Sequence, residues 1–136
     1  MKIKLIILIL SFSTTLLATK ANRVLFYKTL QSREGVEYNA KWHTDEQIEY
    51  GPYGVSVYIA QDFLEYRGLP HTLKDARREL PKCHLWIANW LYEKLYIKHN
   101  GDVFSMAWEW HAGWTMSPLK RGYAVLFLNS YNDLLR

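Results

Sequence analysis

Cys83 is the only cysteine in the chain, so no disulfide can close within it, and its fold must be held by packing and hydrogen bonding alone. That constraint carries weight because the N-terminus reads as an export leader. Lys2 and Lys4 give a positive start, residues 5–17 an apolar run, and Ala18-Thr19-Lys20-Ala21 a small-residue exit. Ser11, Ser13, Thr14 and Thr15 interrupt the run, which is shorter than the ~20 residues that a transmembrane helix needs. Cleavage after Ala18 or Ala21 is therefore expected, and no cysteine follows that would take a lipid. The reading is a signal peptide over 1–21 and a secreted or periplasmic domain over 22–136, without stable membrane insertion once the leader is removed. Roughly 115 residues remain, enough for one core and too few for two.

The charge balance excludes one class of partner. Of 17 Lys and Arg, three (Lys2, Lys4 and Lys20) leave with a leader cut after Ala21, so 14 basic residues face 13 acidic ones. Bulk attraction to nucleic acid is not indicated. Six Trp and ten Tyr exceed what a core of this size requires, and flat rings that do not fill the core suit sugar faces. Cys83 itself reads as a buried, inert thiol, since nothing near it in sequence forms a nucleophilic pair.

Along the chain the apolar spacing is helical. Val24, Leu25, Tyr27 and Leu30 mark a helix over 22–33, stopped at Gly35. Glu34 then stands at a helix C-terminus, where the dipole disfavours a negative charge. Residues 36–52 carry no period and include Gly51-Pro52, a loop signal. Val55, Ile59, Phe63 and Tyr66 mark a second helix ending at Gly68, although the β-branched opening at 55–59 equally suits a short strand. Thr72 caps a short segment closed by Pro81. A helix over 82–98 follows, whose apolar residues Leu85, Trp86, Ala88, Leu91, Leu95 and Tyr96 nearly surround it and predict packing on several sides. Asp102 caps a helix through Trp110 that ends at Gly113, and Ser117-Pro118 opens the last one. The expected fold is mainly α, a single domain of about five or six helices with at most a short β element.

The order of these features resembles the lysozyme-like family of lytic transglycosylases and small phage and bacterial lysozymes. The resemblance covers nearly all of the chain after the leader. A helix ending in the catalytic Glu is similar to Leu30-Gln31-Ser32-Arg33-Glu34-Gly35, and the family's following Gly-rich segment to Tyr50-Gly51-Pro52-Tyr53-Gly54-Val55. Its Trp/Tyr-Asn-Ala/Gly-Gly helix end is similar to Trp110-His111-Ala112-Gly113, and its final helix bearing a Tyr to Gly122-Tyr123-Ala124-Val125. Two slots depart from the family: its Gln after the Gly-rich turn is replaced by Gly54 or Val57, and its Asn by His111. The resemblance therefore speaks for the fold more strongly than for activity.

What the resemblance implies is cleavage of peptidoglycan glycan strands, with Glu34 as general acid and base and no cofactor. Tyr50, Gly51, Tyr53, Gly54, Trp110, His111 and Tyr123 would contact substrate or shape the cleft, and a Tyr123 hydroxyl together with burial would keep Glu34 protonated. Trp108 and Trp114 are further ring platforms. Glu37, followed by Tyr38-Asn39, competes with Glu34 for the acid role. Hydrolysis usually uses two carboxylates, and Glu37, Asp45, Glu46 and Glu49 are candidates for the second; transglycosylases of this family manage with one. The five histidines (His43, His71, His84, His99 and His111) show no metal-ligand spacing among themselves, so no metal is expected. The competing readings are a non-catalytic descendant that binds a glycan or an envelope protein, and an unrelated secreted helical module.

Overall fold

Residues 20–34 and 40–136 are described by a computed structural model. Helix α1 (Arg23–Glu34) is followed by strands β1 (Glu49–Tyr50) and β2 (Val55–Ser56), then helices α2 (Val57–Tyr66), α3 (Leu73–Lys98) and α4 (Val103–Ala112), a 3-10 turn (Pro118–Lys120) and α5 (Arg121–Leu135). The chain is mainly α with one two-stranded antiparallel hairpin, Glu49 opposite Ser56 and Tyr50 opposite Val55. Residues 1–19 of the expected leader lie outside the described residues, as do the expected helix stop at Gly35 and Glu37 with Tyr38-Asn39. Among the described residues, no helix is long and apolar enough to cross a membrane.

Caps set most of the boundaries. Asn22 Oδ1 accepts from the Leu25 amide at 3.1 Å, Ser56 Oγ from Tyr58 at 3.1 Å, and Asp102 Oδ2 from Ser105 at 3.0 Å, each satisfying an amide that the first turn leaves unpaired. Thr72 and Asp75 form a reciprocal capping box at the start of α3. The hairpin takes the first two residues of the expected second helix, since Val55-Ser56 pairs as a strand before Ser56 caps α2.

The break expected at Pro81 is present two residues later: Leu73–Lys98 is two helical stretches run together across a kink, where Cys83 carries non-helical backbone (φ −130°, ψ 18°). A proline lacks the N–H for one intrahelical bond and its ring crowds the preceding turn, which favours a break in this stretch. One expectation for α3 is corrected: it is not buried all round. Ile87, Ala88, Leu91, Tyr92 and Leu95 face the core, whereas Leu85 and Trp86 are exposed. The Cys83 thiol at the kink is half-buried and donates to Glu79 O at 3.1 Å; burial pushes its pKa up, which favours the unreactive thiol.

The core centres on Phe26 of α1. Its ring meets Tyr92 of α3 at 5.4 Å, Trp110 of α4 at 5.7 Å and Phe127 of α5 at 4.8 Å between centroids. One side chain thus joins four helices. On α5, Ala124, Phe127 and Tyr131 are buried, the three- and four-residue spacing of a single helix face. Burying Phe26 fixes the register of α1, and so where its last residue, Glu34, emerges.

Candidate functional site

Glu34 ends α1 with its side chain only 15% exposed. The Tyr123 hydroxyl of α5 donates to Glu34 Oε1 at 3.1 Å. Tyr123 stacks in turn on His111, with ring centroids 4.0 Å apart and planes 12° from parallel. The sequence separates Glu34 from Tyr123 by 89 residues, yet packing on Phe26 and Phe127 brings α1 and α5 side by side. The end of α4 is tied in by Trp110, whose Nε1 donates to Tyr53 O at 3.0 Å. That bond fixes the hairpin turn against the helix that carries His111.

The turn supplies the opposite wall. Gly54 has φ +59°, and a Cβ there would lie 2.7 Å from Glu34 Cδ. Only glycine lets the carboxyl rest against this stretch of main chain. Gly51 plays the same part for His84, whose Nδ1 would lie 2.9 Å from an added Cβ. His84 Nδ1 is buried without a hydrogen-bond partner among the described residues, and burial holds its imidazole below the ordinary histidine range. Tyr50 packs edge-on against His84 at 5.2 Å and Trp42 at 5.1 Å. Tyr53 stacks on Tyr27 at 4.6 Å. Tyr50, Gly51, Tyr53 and Gly54 therefore build the hairpin's contacts with the rest of the domain.

A second carboxylate and an imidazole converge on Glu34. His43 Nδ1 lies 3.7 Å from Glu34 Oε2 and 3.5 Å from Glu49 Oε2. The far ring nitrogen, Nε2, sits 2.6 Å from Gly51 O. A carbonyl only accepts, so Nε2 carries the hydrogen and the ring is oriented with Nδ1 toward the two acids. Burial, followed by the Glu49 charge, raises the pKa of Glu34; the Tyr123 bond and the two histidines act the other way. The Tyr123 phenol is pushed far above its usual range by its own burial and by Glu34, so it remains a donor. Burial and Lys120 lower the His111 imidazole, against the pull of Glu34.

Beside this cluster runs a groove of about 460 Å³. Glu49 and His111 line it together with Tyr58, Trp90, Trp110 and Trp114, while Glu34 is not among its lining residues. A recess of about 710 Å³ continues it, sharing Asp62, Trp90, Lys94 and Trp114 and adding Tyr66. Trp114 is 79% exposed. Trp110, in contrast, is a core residue with one edge on the groove, and Trp108 is half-buried with its Nε1 bonded to Ser117 O at 3.0 Å. The rings presented to the groove are thus mainly Tyr58, Trp90 and Trp114.

Of the residues anticipated from sequence, Glu34, Gly54, His111 and Tyr123 are brought together. Glu49 joins them, whereas Asp45 and Glu46 sit in an exposed turn. Histidine spacing gave no hint of His43, because its partners here are carboxylates from α1 and β1 rather than other histidines. Compared with family models, curated proteins and solved structures, the chain finds no match.

Proposed function

We propose that this protein cleaves the glycan strands of peptidoglycan outside the cytoplasm, with Glu34 as the acid. The observation that carries this reading is the Tyr123–Glu34 hydrogen bond beside an aromatic-lined groove. A largely buried carboxyl at the C-terminal end of a helix, near a second carboxylate, is held toward its neutral form by burial, by Glu49 and by the helix dipole. A carboxyl shifted in that direction is suited to giving a proton to a leaving glycosidic oxygen. Oε1 is engaged by Tyr123, which leaves Oε2 as the oxygen to carry that proton.

In the reaction, the bond from the sugar C1 to the bridging oxygen breaks as the Oε2 proton moves to that oxygen. The ionised Glu34 then takes the proton from whichever hydroxyl attacks C1. Glu49 and Glu34 meet at one imidazole, with their oxygens within 4.8 Å of each other. Two routes then differ in the attacking hydroxyl: the sugar's own 6-hydroxyl leaves a 1,6-anhydro end with Glu34 acting alone, whereas water leaves a reducing end, with Glu49 as the candidate second carboxylate.

Sacculi incubated with the protein and with Glu34→Gln provide the test. Mass spectrometry should find anhydro-ended fragments with the parent only. Reducing ends would make it a hydrolase, and intact sacculi with either protein would overturn the catalytic reading. A second reading, a non-catalytic glycan-binding descendant, draws support from the absence of Glu34 from the groove lining and from His111 in the family's Asn slot. It predicts sedimentation with sacculi that Trp114→Ala weakens and Glu34→Gln does not.

A further inference from the structure

We propose that Glu34, His43 and Glu49 form a binding site for a divalent zinc-class ion, and that the bound ion blocks the groove's acid. The binding half stands on geometry alone; the blocking half rests on the role proposed above for Glu34. Three side chains from three parts of the chain point one ligand atom each at a common centre, all within 4.8 Å of one another. A tetrahedral zinc ion with bonds of about 2.0–2.2 Å sets its ligand atoms roughly 3.3–3.6 Å apart. The His43 Nδ1 separations of 3.7 Å from Glu34 Oε2 and 3.5 Å from Glu49 Oε2 need only small side-chain rotations to reach that.

Two further features distinguish the cluster from a solvated group of acids. The His43 side chain is only 10% exposed, and its Nε2 donates to Gly51 O at 2.6 Å. A ligating histidine is typically anchored in this way, its other ring nitrogen hydrogen-bonded to a carbonyl so that the metal-binding nitrogen is aimed. In addition, neither carboxylate forms an ion pair with a lysine or arginine among the described residues. Two acids and an imidazole thus face each other at distances too long for hydrogen bonds, an arrangement that a divalent ion would close. One nitrogen and two oxygens suit zinc, whereas calcium and magnesium require a larger all-oxygen shell. The fourth position would be left to water.

Bound there, the ion holds Glu34 Oε2 ionised and occupied, so the carboxyl has no proton to give. Zinc release would restore the acid, making the groove responsive to the free metal outside the cell. The balance is simple: binding displaces a proton from Glu34 where it carries one, and no electron moves.

The test is a calorimetric titration of the full untagged chain, stripped with chelator, with zinc chloride, alongside cobalt(II) titration followed by visible absorption. One equivalent should bind, with the intense bands of tetrahedral cobalt. His43→Ala and Glu49→Gln should each weaken binding at least tenfold, while His71→Ala, at an exposed site away from the cluster, leaves it unchanged. Circular dichroism of each variant checks that the helices persist. Absence of stoichiometric binding, or binding indifferent to His43→Ala in a folded variant, overturns the site. With sacculi as substrate, zinc should stop cleavage and chelator restore it; cleavage that zinc accelerates would overturn the blocking half. Zinc binding without any cleavage would remove the proposed activity and with it the blocking half, while leaving the metal site standing.

Discussion

Two buried glutamates in this molecule have opposite surroundings. Glu109 on α4 is 7% exposed and directly paired, with Lys98 Nζ at 2.6 Å and His99 Nε2 at 3.0 Å. Glu34 is almost as buried but receives one neutral hydroxyl at 3.1 Å, a histidine nitrogen at 3.7 Å and a like charge nearby. The first is a compensated carboxylate that ties the turn after α3 to α4. The second is under-compensated, which costs the fold stability and is the property that the proposed acid role draws on. Burial alone does not distinguish them; the difference lies in what each oxygen faces.

The largest expected effect separates the two by function. Glu34→Gln should lower cleavage of sacculi by about 10²–10⁴-fold, the range that general acid catalysis contributes. It should leave stability equal or improved. The folded carboxyl has a pKa above its unfolded value, so the folded state holds its proton more tightly and loses stability as pH rises through that raised value. Glutamine removes this loss, and urea unfolding at neutral pH should give a midpoint no lower than the parent's. A clear fall would mean that Glu34 is compensated after all.

Glu109→Ala should do the reverse. Breaking a fully buried pair costs about 3–5 kcal/mol; because Lys98 is half exposed and can return to water, about 2 kcal/mol is expected here, read from the urea midpoint. A smaller loss, about 1–2 kcal/mol, is expected for Gly54→Ala, which combines a positive φ with a Cβ against Glu34. Because this strain falls on the wall against Glu34, activity per folded molecule should drop in this variant as well.

A weaker effect concerns the other under-compensated group, His84. Its folded pKa lies below the unfolded value, so the unfolded chain takes up a proton that the folded one refuses. Stability is then retained above about pH 6.5 and declines as pH falls below it. His84→Gln should flatten that part of the profile between pH 7.5 and 5. The smallest effect is at the N-terminus: Lys20 bridges to Asp102 and the Ala21 amide donates to Gly101 O at 2.7 Å. If the proposed export holds, a cut after Ala18 keeps both contacts, and the intact mass of the processed protein should begin at Thr19. A mass beginning at Asn22 would show that the contacts are dispensable.

Much of the fold was legible because caps and breakers act locally. Asp102, Gly68 and Gly113 mark the ends of elements in the structure as the sequence suggests. Pro81 likewise announces the break in α3, which falls two residues on at Cys83; its place depends on the neighbours that hold both halves, and those are distant in sequence. Leu85 and Trp86 read as core by composition, but a helix has only so much face to bury, and Ile87, Ala88 and Leu91 occupy it. In the site, the placing of Glu34 near Tyr123 followed from the resemblance in landmark order. The approach of His43 and Glu49 did not, because it depends on how the segment before β1 folds back: His43 N donates to Glu49 O at 3.0 Å and Gly51 N to Lys41 O at 3.0 Å. Those bonds link residues six and ten apart in a stretch without periodicity.

The wall that Gly54 presents to Glu34 is main chain, and a wall of that kind has nothing on it to vary. Substitution can readily reshape the exposed rings at Tyr58 and Trp114. It cannot reshape the Gly54 side without pushing the carboxyl away. In descendants of this chain, then, the groove's rings would diverge first, and a residue other than glycine at 54 would mark a lineage in which the Glu34 carboxyl had already been displaced.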